Sequence, residues 1–360
     1  MCIRDRLKSC EATGIPALPV RLLHGACQTP GFLRNPDVAS LSDISEGLAG
    51  SSPCDIDEAF CRAPDKNSDP ALACLPLLPR HARLPINRCN LPASILGGLT
   101  FQRTPTTLAI DGVGALHRPL FDLLDHIAEP EERAARFVGY MKGHFRLAQP
   151  DEAGLCSGQR KSRTKASYLR VVRGWAFDPD GREAAVLKGW VESRFGLLPR
   201  HHGASLREPG SPAWQLYVAM RAAGLYGTNA LEAQLDLLYA YSQYELARQF
   251  PRRTHLRLYR GVNRLSDHEI IADDDPHGEP QPIPGAHSVT NPAARTVLLN
   301  NVSSFSRSRE RAGEFGDTIL SVDVPLSKLA FFSELLPGML KAEDEYVVIG
   351  GLYRVRLATM

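Results

Sequence analysis

Between Leu84 and Phe250 the apolar residues recur at three- and four-residue steps, the rhythm of helices that bury one side. Leu116, Leu120, Leu123, Leu124 and Ile127 follow it, and Pro130 followed by Glu131 and Glu132 predicts the start of another helix. The clearest helix runs from Ala230 to Phe250. Leu231, Leu235, Leu238, Tyr239 and Leu246 form its apolar stripe and Pro251 closes it, so these residues are read as core. After Pro251 the rhythm shortens. Leu256 to Tyr259, Ile319 to Val324, Tyr346 to Ile349 and Tyr353 to Leu357 read as strands, with a short helix around Glu310 to Phe315. A helical part over about 84–251 followed by a mostly β part over about 252–360 predicts an α+β fold.

Residues 1–83 follow neither rhythm. They are rich in Pro, Gly, Ser and Asp and hold turn signals such as Pro30-Gly31, so a disordered or non-native leader is expected there. The opening Met1-Cys2-Ile3-Arg4-Asp5-Arg6 resembles a translated sequencing-adapter fragment. Six of the eight cysteines fall in the first 80 residues, none in a Cys-x-x-Cys spacing, which argues against a zinc site. Charge divides at the same place. The first 80 residues hold 8 Lys and Arg against 10 Asp and Glu, leaving 34 against 30 for the rest. That surplus is too small to imply a nucleic-acid partner. Its densest run, Arg160, Lys161, Arg163 and Lys165, reads as a solvated loop, with docking to an acidic partner as the alternative. The apolar runs Ala184 to Val191 and Val347 to Leu352 are too short to span a bilayer, so no membrane insertion is expected and the protein is read as cytoplasmic. Asp273-Asp274-Asp275-Pro276-His277, in a polar, proline-rich excursion, reads as a solvated loop rather than a metal site.

Three short stretches carry candidate chemistry. In Leu258-Tyr259-Arg260-Gly261 an arginine near a strand end offers a planar fork of donors for phosphate oxygens, and Gly261 lets the backbone come close to a ligand. In Val302-Ser303-Ser304-Phe305-Ser306 the hydroxyls of Ser304 and Ser306 share one face of an extended strand, in reach of a sugar and a carboxylate. In Glu343-Asp344-Glu345-Tyr346-Val347-Val348 two glutamates two residues apart point to one side at a strand entrance. Taken singly, each also reads as ordinary surface or loop sequence. No third glycine follows Gly112-Val113-Gly114, so the dinucleotide-binding fingerprint is absent.

In this order the three stretches resemble the Arg-Ser-Glu class of mono-ADP-ribosyltransferases. Ile86-Asn87-Arg88-Cys89-Asn90-Leu91-Pro92-Ala93-Ser94-Ile95-Leu96 and Asn300-Asn301-Val302-Ser303-Ser304-Phe305 narrow the likeness to the dinitrogenase reductase ADP-ribosyltransferase family, over about residues 84–360. The resemblance implies a split, mostly antiparallel β core that grips NAD as co-substrate, with no permanently bound cofactor and no metal. It implies transfer of ADP-ribose to an arginine of the nitrogenase iron protein, which switches nitrogen fixation off, with a PII-type nitrogen-signalling protein as regulator. By the same resemblance Glu345 stabilises the oxocarbenium-like ribose and Glu343 orients the acceptor guanidinium. Arg260 and Gly261 hold the NAD phosphates, and Ser304, with Ser303 or Ser306, orients Glu345 and the ribose. Phe305 stands where the class has a small residue, which leaves the serine register open. The alternatives are an NAD glycohydrolase, an arginine-specific transferase with another protein target, and a non-catalytic regulatory module that keeps the fold.

Overall fold

The structure is a computed structural model, and it describes residues 75–147, 166–228, 230–265, 268–272, 294–338, 340 and 344–359. The chain divides into two units, Met1–Arg62 and Ala63–Met360, and every described residue lies in the second. The basic run from Arg160 to Lys165, the stretch from Asp273 to Pro284 and Glu343 lie outside the described residues, as do residues 1–74.

The helical part comprises α1 (Ala93–Leu96), α2 (Leu99–Arg103), α3 (Val113–Leu116), α4 (Arg118–Leu124), α5 (Pro130–His144), α6 (Tyr168–Phe177) and α7 (Arg182–Phe195). A two-residue hairpin, β1 (Arg200–His201) and β2 (Ala204–Ser205), precedes α8 (Pro212–Gly224) and α9 (Ala230–Gln249). As the pattern predicts, α5 starts at Pro130, and α9 buries Leu231, Leu235, Leu238, Tyr239 and Leu246. The stripe from Leu116 to Ile127 holds only in part. Helix breaks at His117, which ends α3 and begins α4, and the phase resets there, leaving Leu116 and Leu123 exposed while Leu120 and Leu124 are buried.

Two buried ion pairs tie α9 to its neighbours. Arg133 on α5 donates through Nε and Nη2 to Glu245 at 2.7 and 2.8 Å, and Arg194 on α7 donates through Nε and Nη2 to Asp236 at 2.8 and 3.0 Å. Both are bidentate, which leaves each buried carboxylate with good partners.

The β part comprises β3 (His255–Val262), β4 (Glu269–Ala272), β5 (Ala294–Ser306), β6 (Thr318–Pro325), β7 (Leu329–Phe332) and β8 (Glu345–Thr359), with the short helix α10 (Arg309–Gly313) after β5. They form one antiparallel sheet in the order β4-β5-β3-β6-β8-β7. A further long ladder between β5 and β8 closes β3, β5, β8 and β6 on themselves. Its weak seam lies between β3 and β5, which pair only at Tyr259 and Ser306.

The expected α+β arrangement is therefore found, with differences in detail. Tyr346 to Ile349 and Tyr353 to Leu357 are one strand, because β8 runs on through Gly350 and Gly351. At Gly350 a side chain would collide with the Asn300 carbonyl, and Gly351, at φ +115°, packs against the backbone of Gly97. Two side-chain-free positions look like a turn in sequence but here permit close contact. Strand β7 escapes the pattern because all four of its residues are buried, so it shows no alternation.

Side chains and backbone fasten the helical part to the sheet. Gln102 on α2 donates to the carbonyls of Asp323 and Arg354 at 3.1 and 3.3 Å, and Arg354 N–H donates back to its Oε1 at 2.7 Å. Leu352 N–H donates to the Gly97 carbonyl at 2.7 Å. Tyr239 on α9 donates to the Ser327 carbonyl at 2.8 Å and Gln243 to that of Leu329 at 2.7 Å. No described helix is long and apolar enough to cross a membrane.

Candidate active site

The placement of the serine strand begins with a bulge. The ladder between β5 and β8 shifts register between Leu299 and Val302, which frees Asn300 and Asn301 for other partners. Asn300 accepts from Arg200 N–H at 2.8 Å and donates to the Arg200 carbonyl at 3.0 Å, while Asn301 donates to the carbonyls of Lys188 and Leu197 at 2.8 and 3.1 Å. The asparagine pair thus locks β5 to α7 and β1. In the other motif of the helical part, Asn87 donates to the carbonyls of Leu91 and Phe195, and Asn90 accepts from Ala109 N–H at 2.9 Å. These motif residues hold the scaffold.

From the bulge the register is fixed, with Ser303 opposite Val348, Ser304 opposite Val347 and Ser306 opposite Glu345. Ser304 and Ser306 therefore share the face of Glu345, while buried Phe305 and Ser303 face the other way. Ser304 Oγ donates to Glu345 Oε1 at 2.6 Å, the diagonal contact across the ladder. Ser306 Oγ instead accepts from Ser308 N–H at 3.0 Å, and Ser308 caps α10 by accepting from Arg311 N–H. Ser303 is buried, with only a 3.5 Å approach to the Asn300 carbonyl. Of the three candidate serines, Ser304 alone meets the glutamate, and Ser306 shapes the turn beside it.

Arg260 reaches the same place from β3. Past the Tyr259–Ser306 pairing its Nη1 donates to the Ser304 carbonyl at 2.7 Å, so a side chain takes over where the two strands part. Its Nε is buried and has no partner. A buried guanidinium N–H without an acceptor is costly and suits an anionic oxygen brought by a ligand. Gly261 acts on the far side, where a side chain would strike the Ala312 carbonyl. Its bareness lets α10 pack on β3, a reason for glycine beyond the approach of a ligand.

One further side chain completes the cluster. Trp175 on α6 is 4% exposed, and its indole N–H donates to Ser304 Oγ at 2.9 Å. The sequence pattern does not mark it, because the three stretches with candidate chemistry all lie in the β part. The available signal was helical: Tyr168, Val171, Val172 and Trp175 recur at the spacing of a buried face.

Burial raises the Glu345 carboxyl above its ordinary pKa, opposed by the hydrogen bonds of Ser304 and Trp175 and by the Arg260 charge. Burial likewise lowers the Arg260 guanidinium, which the Glu345 carboxylate opposes. The cluster thus joins a half-buried carboxylate, a hydroxyl that donates to it and a guanidinium short of acceptors. Such a set can stabilise a cationic sugar while holding an anionic group near it.

A protein-family model described as "Dinitrogenase reductase ADP-ribosyltransferase (DRAT)" matches residues 86–357. The chain is 38% identical over 274 residues to the "NAD(+)--dinitrogen-reductase ADP-D-ribosyltransferase" of Rhodospirillum rubrum, a match covering 75% of this chain and 93% of the relative. No solved structure matches it. With the Arg260, Ser304 and Glu345 cluster formed inside the matched span, the chain belongs to the dinitrogenase reductase ADP-ribosyltransferase family.

Proposed function

We propose that this protein is an NAD-dependent mono-ADP-ribosyltransferase that modifies an arginine of the nitrogenase iron protein and so switches nitrogen fixation off. The observation that carries the reading is the hydrogen bond from Ser304 to Glu345 beside Arg260, with the family match in support. Arg260 fits NAD because its guanidinium, beyond the Nη1 bond to the Ser304 carbonyl, keeps donors suited to a phosphate oxygen beside Glu345.

In this reading the bond between nicotinamide and the ribose C1′ breaks, its electron pair leaves with nicotinamide, and positive charge develops on the sugar. Ionised Glu345 stabilises that charge and accepts from the 2′-hydroxyl. Ser304 keeps its carboxylate turned to the ribose. A guanidinium nitrogen of the acceptor then bonds to C1′ and releases a proton. Glu343 orients the acceptor, since a cationic guanidinium must be held before its nitrogen attacks. A PII-type nitrogen-signalling protein is the proposed regulator, the site of action is the cytoplasm, and the leader outside the transferase domain is shorter than 1–83, since Leu78 and Ala82 are buried in the core.

The test is to incubate the protein with labelled NAD and purified nitrogenase iron protein and to map the label. Label on one arginine supports the reading. Nicotinamide release with no label on protein would overturn it in favour of an NAD glycohydrolase.

A further inference from the structure

The indole of Trp175 and the hydroxyl of Ser304 have unequal abilities. An indole N–H donates and accepts nothing, whereas a hydroxyl has one proton to give and lone pairs to receive. With Trp175 Nε1 donating to Ser304 Oγ at 2.9 Å, that oxygen is an acceptor toward α6. Its proton is directed to Glu345 Oε1, 2.6 Å away. The chain of two bonds therefore has one direction, from tryptophan through serine to carboxylate. Without the indole, the serine hydroxyl is free to turn and accept a hydrogen bond from a protonated Glu345.

We propose that Trp175 is a positioning residue for the transferase reaction: by fixing the direction of the Ser304 hydroxyl it holds Glu345 in the ionised form that faces the ribose. The helical part thereby contributes to a site whose recognised motifs all lie in the sheet. This rests on the assignment of Glu345 as the charge-stabilising acid. The groups facing Glu345 are Ser304 on β5, Trp175 on α6 and the Arg260 cation on β3, while the preceding Asp344 is exposed. Burial works to protonate Glu345, so the donors that oppose it set where the acid side of the activity profile falls.

The experiment is the pH profile of NAD consumption, measured as nicotinamide release, for the unmodified protein and for Trp175→Phe, Ser304→Ala and the double variant. Losing a relayed donor disfavours the charged form, so Trp175→Phe should move the acid limb up by about 0.5 to 1 pH unit. At a pH well above that limb it should retain most of its rate. In the Ser304→Ala background the same change should move the limb clearly less, because part of the effect passes through the serine while the indole also bears on Glu345 directly. An unmoved limb in Trp175→Phe, or equal shifts in both backgrounds, overturns the proposal. Should phenylalanine impair folding, benzothienylalanine at position 175 keeps the bicyclic ring and removes only the N–H, and the same shift is expected. Glu345→Gln separates the two levels. If it is inactive while Trp175→Phe leaves the limb in place, only this inference fails; if it is fully active, the assignment of Glu345 fails with it.

Discussion

Arg260 and Ser304 meet through a side chain and a backbone, the guanidinium Nη1 donating to the serine carbonyl at 2.7 Å, while the hydroxyl of the same serine donates to Glu345. One residue thus links the cation and the anion of the site without their forming a direct ion pair. The two charges remain available to a ligand that carries both phosphate and a developing sugar cation.

Replacing Arg260 by lysine should weaken NAD binding by about tenfold or more, because a single ammonium cannot both hold the Ser304 carbonyl and reach a phosphate as a planar fork does. Titration with NAD, read by calorimetry, checks this. Unchanged affinity would remove Arg260 from the phosphate site.

The two glutamates should separate by reaction. Glu345→Gln removes the charge that stabilises the oxocarbenium-like state, so transfer to protein and hydrolysis of NAD should fall together by about 100-fold, or about 3 kcal/mol. Glu343→Gln should reduce transfer to the iron protein more than hydrolysis. Parallel assays with and without acceptor decide it, and a reversed pattern would exchange the two roles.

Because burial raises the Glu345 carboxyl and its proposed role needs the ionised form, activity should be lost on acidification at a pH above the ordinary glutamate value. The acid limb of kcat/KM for NAD reads this in the free enzyme. A limb at or below the ordinary glutamate value would show that the buried carboxylate does not govern the rate.

Lys328 offers a test of stability away from the site. It is buried against the rings of Phe101 and Tyr353, 5.9 and 5.1 Å from Nζ, and donates to the Gly350 carbonyl. Burial lowers its pKa from 10.5 to about 7. Below that value both folded and unfolded chains carry the proton, and the folded state bears the full cost of the buried charge. Between about 7 and 10 the unfolded chain holds more protons, so stability rises with pH. Relative to Lys328→Met, the unmodified protein should gain on the order of a few kcal/mol across that window. Urea unfolding at several pH values measures it, and identical pH dependence in the two proteins would contradict the assignment.

Truncation should show where the folded body starts. Leu78 is 2% exposed, Arg83 donates to its carbonyl, and Arg83 bridges to Leu197, so these residues belong to the core although they precede the expected boundary at 84. Removing residues 1–74 should leave stability and activity intact. Extending the deletion through residue 83 should cost about 2–5 kcal/mol from the loss of Leu78 alone. Thermal unfolding of both truncated proteins distinguishes these outcomes.

The elements legible in advance were those whose burial is one-sided. Helix α9 has a full stripe and a proline stop, β6 lies within one residue of the expected strand at each end, and β3 runs three residues past its expected end. What escaped was fixed by contacts distant in sequence. Leu116 and Leu123 lost their place to the break at His117, and β7 is buried on both faces. In the candidate site, the residue types and order pointed to Arg260, Ser304 and Glu345, which the fold brings together, but the choice among the serines needed the register that the bulge at Asn300 and Asn301 sets. Trp175, 129 residues before Ser304, had no local mark of its partner.

The ring of strands is unequally fastened, and that has a mechanical meaning. Between β5 and β8 a long ladder must shear as a whole, and β8 is further pinned at Gly351 and Leu352 to the backbone of Gly97. Between β3 and β5 a single pairing and one arginine span the gap. By backbone pairing that seam holds least, as a clasp does. Glu345 and Ser304 ride together on the stiff jaw, Arg260 rides on the other, and the distance set by that seam is the one between the guanidinium and the carboxylate.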